Sequence, residues 1–384
     1  MVIFEKAKTQ DRDELLNMAD AVFGTPEHPI SFAVKIPRLY APDVDTMNSH
    51  YIAREDGKIV AAVGSFSDQI QVGDECLTVR GIGTVSVDYS ARSKGYMRKL
   101  MDMAVSDMEK DGVDWGFLSG QRQRYEYFSF TPAGLAGQFL FTSANARHIF
   151  GKNTVHGYTF VPIGEEDHAL LDQMCRLHDQ KPVHVLRSRE QFYKTLCSWY
   201  FKPMAILKDG EFVGYLTVRE ENLISEIELN DISKLIEVLS DYLLVSGQTE
   251  LTLAPLGLYD WEKINLLSRN AESLQVINND NMSVFHYDKV IRAFLKIKAS
   301  YYRLTDGSVC IAVENRQTIR ITVKDQQISV EETNEQPDYT FTHLEAMQIF
   351  FGTGKLMGNL GFTFPDFMDN WFPVPMFYPR ADNV

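Results

Sequence analysis

Apolar and polar positions alternate on both sides of an Asp-Gly pair at three places in the chain. These are HYIAREDGKIVAAVGSF (50–66), PMAILKDGEFVGYLTV (203–218) and YYRLTDGSVCIAVEN (301–315). Both central residues of a type I′ turn need positive φ, which Asp and Gly tolerate, so each stretch predicts a β-hairpin. One hairpin per domain, in a chain of 384 residues, predicts three domains over 1–150, 151–285 and 286–384. Helical spacing appears between the hairpins. Leu15, Leu16, Ala19 and Val22 share a face in 11–23, and Leu235, Ile236, Leu239 and Leu243 do so in 231–244, where Asp231 is the expected N-cap. The segment 341–356 reads as a helix stopped at Gly352. The tail carries four prolines in its last twenty residues, which excludes a regular helix there.

The stretch 76–120 carries the chemistry. Its pattern predicts a strand over Ile82–Val87, a loop over Tyr89–Lys94, a helix from Gly95 and a second strand over Trp115–Leu118, a β-α-β unit. Met97, Leu100, Met101, Ala104 and Met108 step along one face of the helix. The turn ARSKGYMR places Arg92, Lys94 and Arg98 around Gly95. The first N–H groups of a helix lack partners and sit at the positive end of its dipole, so this turn is a candidate anion site. The spacing suits a pyrophosphate. It is neither a nucleotide P-loop nor a dinucleotide fingerprint.

Arg92-x-x-Gly95, between a strand and an amphipathic helix, resembles the R/Q-x-x-G-x-G/A signature of the GNAT acetyl-CoA-dependent N-acetyltransferases. Met97 stands where that signature has Gly or Ala, as in the Eis-type subgroup. RYEYFSFTPAG (124–134) is similar to that subgroup's Y-x-x-F/Y-G-F/Y-x-P-A segment, with Ser129 in place of the usual glycine. The resemblance implies an α/β (α+β) fold: two tandem GNAT-like mixed-sheet domains, the second degenerate, followed by a sterol carrier protein-like domain. It implies that Val85, Ser86 and Val87 pair with the pantetheine arm and that the Val87 N–H meets the thioester oxyanion. The pyrophosphate would lie on Arg92, Ser93, Lys94, Gly95, Tyr96, Met97 and Arg98, with Ser119 near the thioester. Tyr125 matches the general acid, and the α-carboxylate of Val384 matches the base. The second unit has no Arg-x-x-Gly, so no coenzyme is expected there. Acetyl-CoA is the expected co-substrate, without a metal, and a homo-oligomer is expected, since relatives are often hexamers assembled from dimers.

Composition narrows the partners. Thirty-eight Lys and Arg against 52 Asp and Glu give a net charge of −14, a poor match to nucleic acid. Cys76, Cys175, Cys197 and Cys310 are scattered, which argues against a zinc site or a disulfide framework and for a reducing, cytoplasmic compartment. No apolar run has the length of a membrane span, and the charged start is not a secretory signal. The expected acceptor is a polycationic, aminoglycoside-like primary amine, with Glu27 a candidate contact near the substrate mouth. A protein or peptide lysine is the alternative acceptor. A non-catalytic acetyl-CoA or lipid-binding protein is the rival class.

Overall fold

A computed structural model describes residues 1–384. The N-terminal strands are β1 (Val2–Lys6), β2 (His50–Glu55), β3 (Lys58–Val72), β4 (Glu75–Val87), β5 (Trp115–Leu118) and β6 (Thr131–Thr142). They belong to a mixed sheet of thirteen strands that continues into the middle of the chain. Strand Ser273–Val284 inserts between β5 and β6 and pairs antiparallel with both. On the far side of β6 follow Glu250–Gly257, Leu223–Leu229, Glu211–Arg219 and Lys202–Lys208. A separate four-stranded sheet holds Gly307–Val313, Thr318–Lys324, Gln327–Glu332 and Tyr339–Phe341.

Two of the three predicted hairpins form. Asp56 and Gly57 both have positive φ (49° and 87°) between β2 and β3, and Asp209 and Gly210 (52° and 85°) join the second pair. The third does not form around Asp306-Gly307. Residues 301–306 hold no strand, Gly307 begins one, and the chain reverses at 314–317, where Asn315 takes φ 56°. The alternation in YYRLT is accidental: its backbone is tied down by side chains, with Gln326 accepting from the Leu304 N–H and Asn370 from that of Thr305.

The helices follow their apolar spacing. Arg12–Phe23 buries Leu15, Leu16, Met18 and Ala19. His343–Phe351 starts with a reciprocal capping box between Thr342 and Glu345 and ends at Gly352. In the tail, only Asp366–Trp371 is helical, and the chain beyond it is buried almost throughout. Phe341, Phe350, Trp371 and Phe372 fill the space beside the small sheet. One continuous apolar core joins that sheet, the tail and β3–β5.

Candidate functional site

The helix Tyr96–Lys110 packs Leu100, Met101, Ala104 and Met108 against the sheet, which fixes the turn before it. Gly95, its N-cap, sits at φ 81°, a conformation that other residues adopt only with strain. A side chain there would meet nothing within 4 Å, so the space over the helix start is open. Arg92 lies over the Tyr89 ring at 3.9 Å and Arg98 over Tyr127 at 3.8 Å, so both guanidinium groups are held in place. A cleft of about 480 Å³ runs along Val85, Val87, Arg92, Ser93, Gly95, Tyr96, Met97 and Arg98. The Lys94 ammonium is taken by Glu55 at 2.8 Å, and Lys94 is not among the cleft-lining residues.

Strand β4 opens the sheet beside this cleft. It runs parallel to β5 only as far as Ile82, opposite Leu118. Against β3, Gly83 faces Gly64 and Ser86 faces Ala62, so Thr84 and Val85 together oppose Val63 in a bulge, with Thr84 at φ 53°. The buried Tyr40 hydroxyl holds the bulge through the Thr84 hydroxyl and His50 Nε2. Beyond it, the Asp88 N–H donates to the Val60 carbonyl across β3. Strand alternation therefore turns the Val87 N–H to the opposite, open edge. Val85 and Val87 line the cleft, whereas Ser86 is buried on the other face with its hydroxyl on the Thr84 carbonyl.

A second chamber of about 450 Å³ meets the first at Val85, Arg92 and Arg124. Its walls include Phe23, Phe32, Lys35, Gly83, Thr84, Ser119, Tyr125, Trp199 and Val384. Tyr125, at the end of the short helix Arg122–Tyr125, is buried; desolvation raises its pKa and neighbouring Arg124 opposes that rise. Glu27 is exposed on the turn after the first helix and is not among the lining residues.

The structure brings the C-terminus 384 to this chamber by anchoring each residue before it. Arg187 donates to both carboxylate oxygens of Asp382 at 2.9 and 2.7 Å, and the two side chains are 1% and 0% exposed. Arg38 donates to the Asp382 carbonyl at 2.6 Å. Trp199 Nε1 donates to the Asn383 carbonyl at 3.2 Å, and Asn383 Nδ2 donates to Asp280 at 3.1 Å. Val384 then lies over Gly83, where an added methyl would stand 2.7 Å from the Val384 carbonyl carbon. Ser119 donates to the same Asp280 oxygen at 3.0 Å. Burial pushes the Asp280 carboxyl up to about 6, against the pull of Ser119 and Asn383.

Residues 4–133 match the family model described as an acetyltransferase (GNAT) domain. Those residues are an N-acetyltransferase domain of the GNAT class. No curated protein matches the chain. A GCN5-related N-acetyltransferase from Kribbella flavida superposes with a TM-score of 0.67 at 13% identity, over 100% of this chain and 98% of that one. Eis1 from Mycobacterium abscessus gives 0.64 at 12% identity, covering 100% of both chains. A GCN5-related N-acetyltransferase from Anabaena variabilis gives 0.59 at 11%, over 90% and 89%. At these identities the likeness is one of fold. GNAT acetyltransferases use acetyl-CoA, and the cleft along Arg92–Arg98 offers the backbone donors and cations that a pyrophosphate needs. No cluster of three His, Cys, Asp or Glu side chains is placed to hold a metal ion. No helix is long and apolar enough to cross a membrane.

Sequence reasoning missed Lys35, Trp199, Asp280, Gly83 and the Arg187–Asp382 pair. None sits in a motif, and each acquires its place only through contacts between distant segments.

Proposed function

We propose that the chain transfers the acetyl group of acetyl-CoA directly to a primary amine, with Tyr125 as general acid and the α-carboxylate of Val384 as base. One observation carries this reading: a cleft suited to a pyrophosphate opens into a chamber that Tyr125 and Val384 both line. The pantetheine arm would follow the open edge of β4 at Val85 and Val87, and the thioester would reach the chamber near Ser119. An alkylammonium of pKa ~10.4 is neutral about once in two thousand at pH 7, a handicap of ~4–5 kcal/mol. A carboxylate at the chamber wall holds the ammonium and takes one proton from it, and the neutral nitrogen then attacks the thioester carbon. The Val87 N–H stabilises the oxyanion that forms. Collapse breaks the carbon–sulfur bond, Tyr125 protonates the departing thiolate, and the second proton lost by the acylated nitrogen restores the Tyr125 hydroxyl. Burial raises the tyrosine's pKa, which keeps the proton available for that step.

The three expected domains fit a division of labour in this reading. In the middle unit the helix after Leu223–Leu229 begins with Asp231, whose carboxylate accepts from the Ser233 N–H. A protein anion already occupies the place where a phosphate would bind. The C-terminal unit, in the sterol carrier-like reading, serves to carry the tail to the chamber. The acidic net charge of −14 favours an acceptor that carries a cation, as an alkylammonium does. The test is amine-dependent thiol release from acetyl-CoA. Release that saturates in both substrates is expected, and bound acetyl-CoA with no release for any amine would overturn the reading.

A further inference from the structure

The chamber wall carries charge of both signs. Val384 lines it, and Asp280, not itself a lining residue, lies close by through Asn383 and Ser119. Lys35 and the Trp199 indole line it as well, with the Lys35 ammonium 4.9 Å from the ring centroid, and Arg380, outside the lining, holds its guanidinium 5.1 Å from the same ring. Lys35 also stands 5.7 Å from the Phe32 ring. Neither cation has an ion pair. Carboxylates outnumber cations 52 to 38 in this chain, and Arg38, Arg187 and Lys194 are matched with Asp68, Asp382 and Asp43. Lys35 instead lines the chamber unpaired, as do Arg92 and Arg124 toward the cleft. Burial and then the charge of Arg380 lower the Lys35 pKa, and burial lowers that of Arg380 against the pull of Asp280.

We propose that Lys35, held on the Trp199 ring that Arg380 also touches, forms an oxyanion-binding subsite of the acceptor chamber, so that the acceptor is a primary amine that also carries a carboxylate or comparable anionic group. This rests on the acetyl-transfer reading of the chamber. Such an acceptor places its ammonium toward Val384 and its anion at the Lys35 ammonium. A polycation would have to set a positive group against Lys35. The indole matters because it fixes both cations without neutralising them.

The test compares acceptors of matched length with acetyl-CoA and the full chain: a series of ω-amino carboxylates, their carboxamides and the corresponding diamines. A hydrogen bond to a charged group in a half-buried site predicts a preference of at least about tenfold in kcat/KM for the best carboxylate over its amide. Lys35→Met should reduce that preference to within about threefold, and Lys35→Glu should turn it toward the diamine. Amides or diamines used as well as carboxylates would overturn the subsite and leave acetyl transfer standing. Binding is read separately from Trp199 fluorescence quenching in the presence of coenzyme A, with Trp199→Phe as the blank. Carboxylate-selective quenching without turnover of any amine would keep the subsite and sink acetyl transfer. Absence of selectivity in both readouts would overturn the subsite.

Discussion

Asp382→Ala tests the placement of the C-terminus most directly. In the native chain the Asp382 carboxylate accepts two bonds from Arg187, which also donates to Glu226 at 3.0 and 2.9 Å. The Arg187 side chain is 1% exposed, so the truncation leaves a buried guanidinium with one carboxylate where it had two. Removing one partner of a buried pair costs ~3–5 kcal/mol. That is below the ~5–15 kcal/mol that holds a domain folded, and the loss falls on a terminal segment that can detach alone. A loss of ~3 kcal/mol in seating energy lowers the seated fraction by up to about a hundredfold. If Val384 is the base, kcat falls by a similar factor. The cleft proposed for acetyl-CoA shares no residue with this socket, so the Kd for acetyl-CoA should stay within about twofold. Carboxypeptidase release of Val384, followed by mass spectrometry, reports seating without reference to activity. Fast release with unchanged kcat would refute the role of Val384. Lost kcat with Val384 still protected would refute the anchoring argument. Asp382→Glu, which keeps the charge, should recover part of the loss.

Other outcomes can be checked alongside. Gly83→Ala places a methyl 2.7 Å from the Val384 carbonyl carbon, so it should lower kcat at least tenfold while thermal unfolding shifts by only a few degrees. Tyr125→Phe should lower kcat by about a hundredfold with acetyl-CoA affinity intact, and equal losses of both would end the general-acid role. Gly95→Ala forces a side chain into φ 81° at a strain of ~1–2 kcal/mol and should weaken acetyl-CoA binding about tenfold by calorimetry. Stability should fall on acidification. His50 and His343 are buried neutral, with pKa values lowered to about 4 by desolvation, so the unfolded chain takes up protons that the native state refuses as pH drops from 6.5 toward 4. Asp280, raised to about 6, works in the opposite sense, stabilising the fold as pH falls through that value. Asp280→Asn should therefore steepen the acid loss in urea titrations between pH 7 and 4.5.

What the sequence disclosed was local. The strand, loop, helix and strand of 82–118 were legible because a β-α-β unit writes its periodicity and its turn into adjacent residues. The hairpins at Asp56-Gly57 and Asp209-Gly210 were legible for the same reason, and the failed one at Asp306-Gly307 shows the limit: Gln326 and Asn370 capture that segment from elsewhere. The side chains of Lys94 and Ser86 illustrate a second limit. A turn rich in cations does not reveal that Glu55, across the sheet, claims one of them. A run of strand residues does not reveal the bulge at Thr84 and Val85, beyond which Ser86 faces away from Val85 and Val87 by ordinary strand alternation. The resemblance put Val384 in the active site, but nothing in RADNV disclosed how it gets there. Its anchors lie 344, 195, 184 and 103 residues distant from the residues they hold.

Under the proposed three-unit reading, those anchors give the middle unit a role that needs no coenzyme. Strand β4 runs parallel to β5 and then parts from it after Ile82, which opens the edge where the pantetheine arm is proposed to lie. Leu223–Leu229 repeats the geometry: it runs parallel to Glu250–Gly257 only at Leu223 and Ile224. Two residues past that point stands Glu226, buried and held ionised by Arg187 and Lys181 despite its desolvation. Arg187 in turn grips Asp382, and the Arg380–Asp382 turn packs beside this strand. The second opening therefore receives the protein's own tail. A buried ion network is a weak source of stability, because desolvation offsets most of its attraction, but it tolerates few alternative arrangements. Register is what the proposed base requires, since a slip of one residue would carry Val384 away from Gly83 and the chamber wall. On this argument, replacing Glu226, Arg187 and Asp382 together by apolar residues of similar volume should preserve or raise thermal stability and still lower kcat. A triple variant that keeps full activity would show that packing alone sets the register.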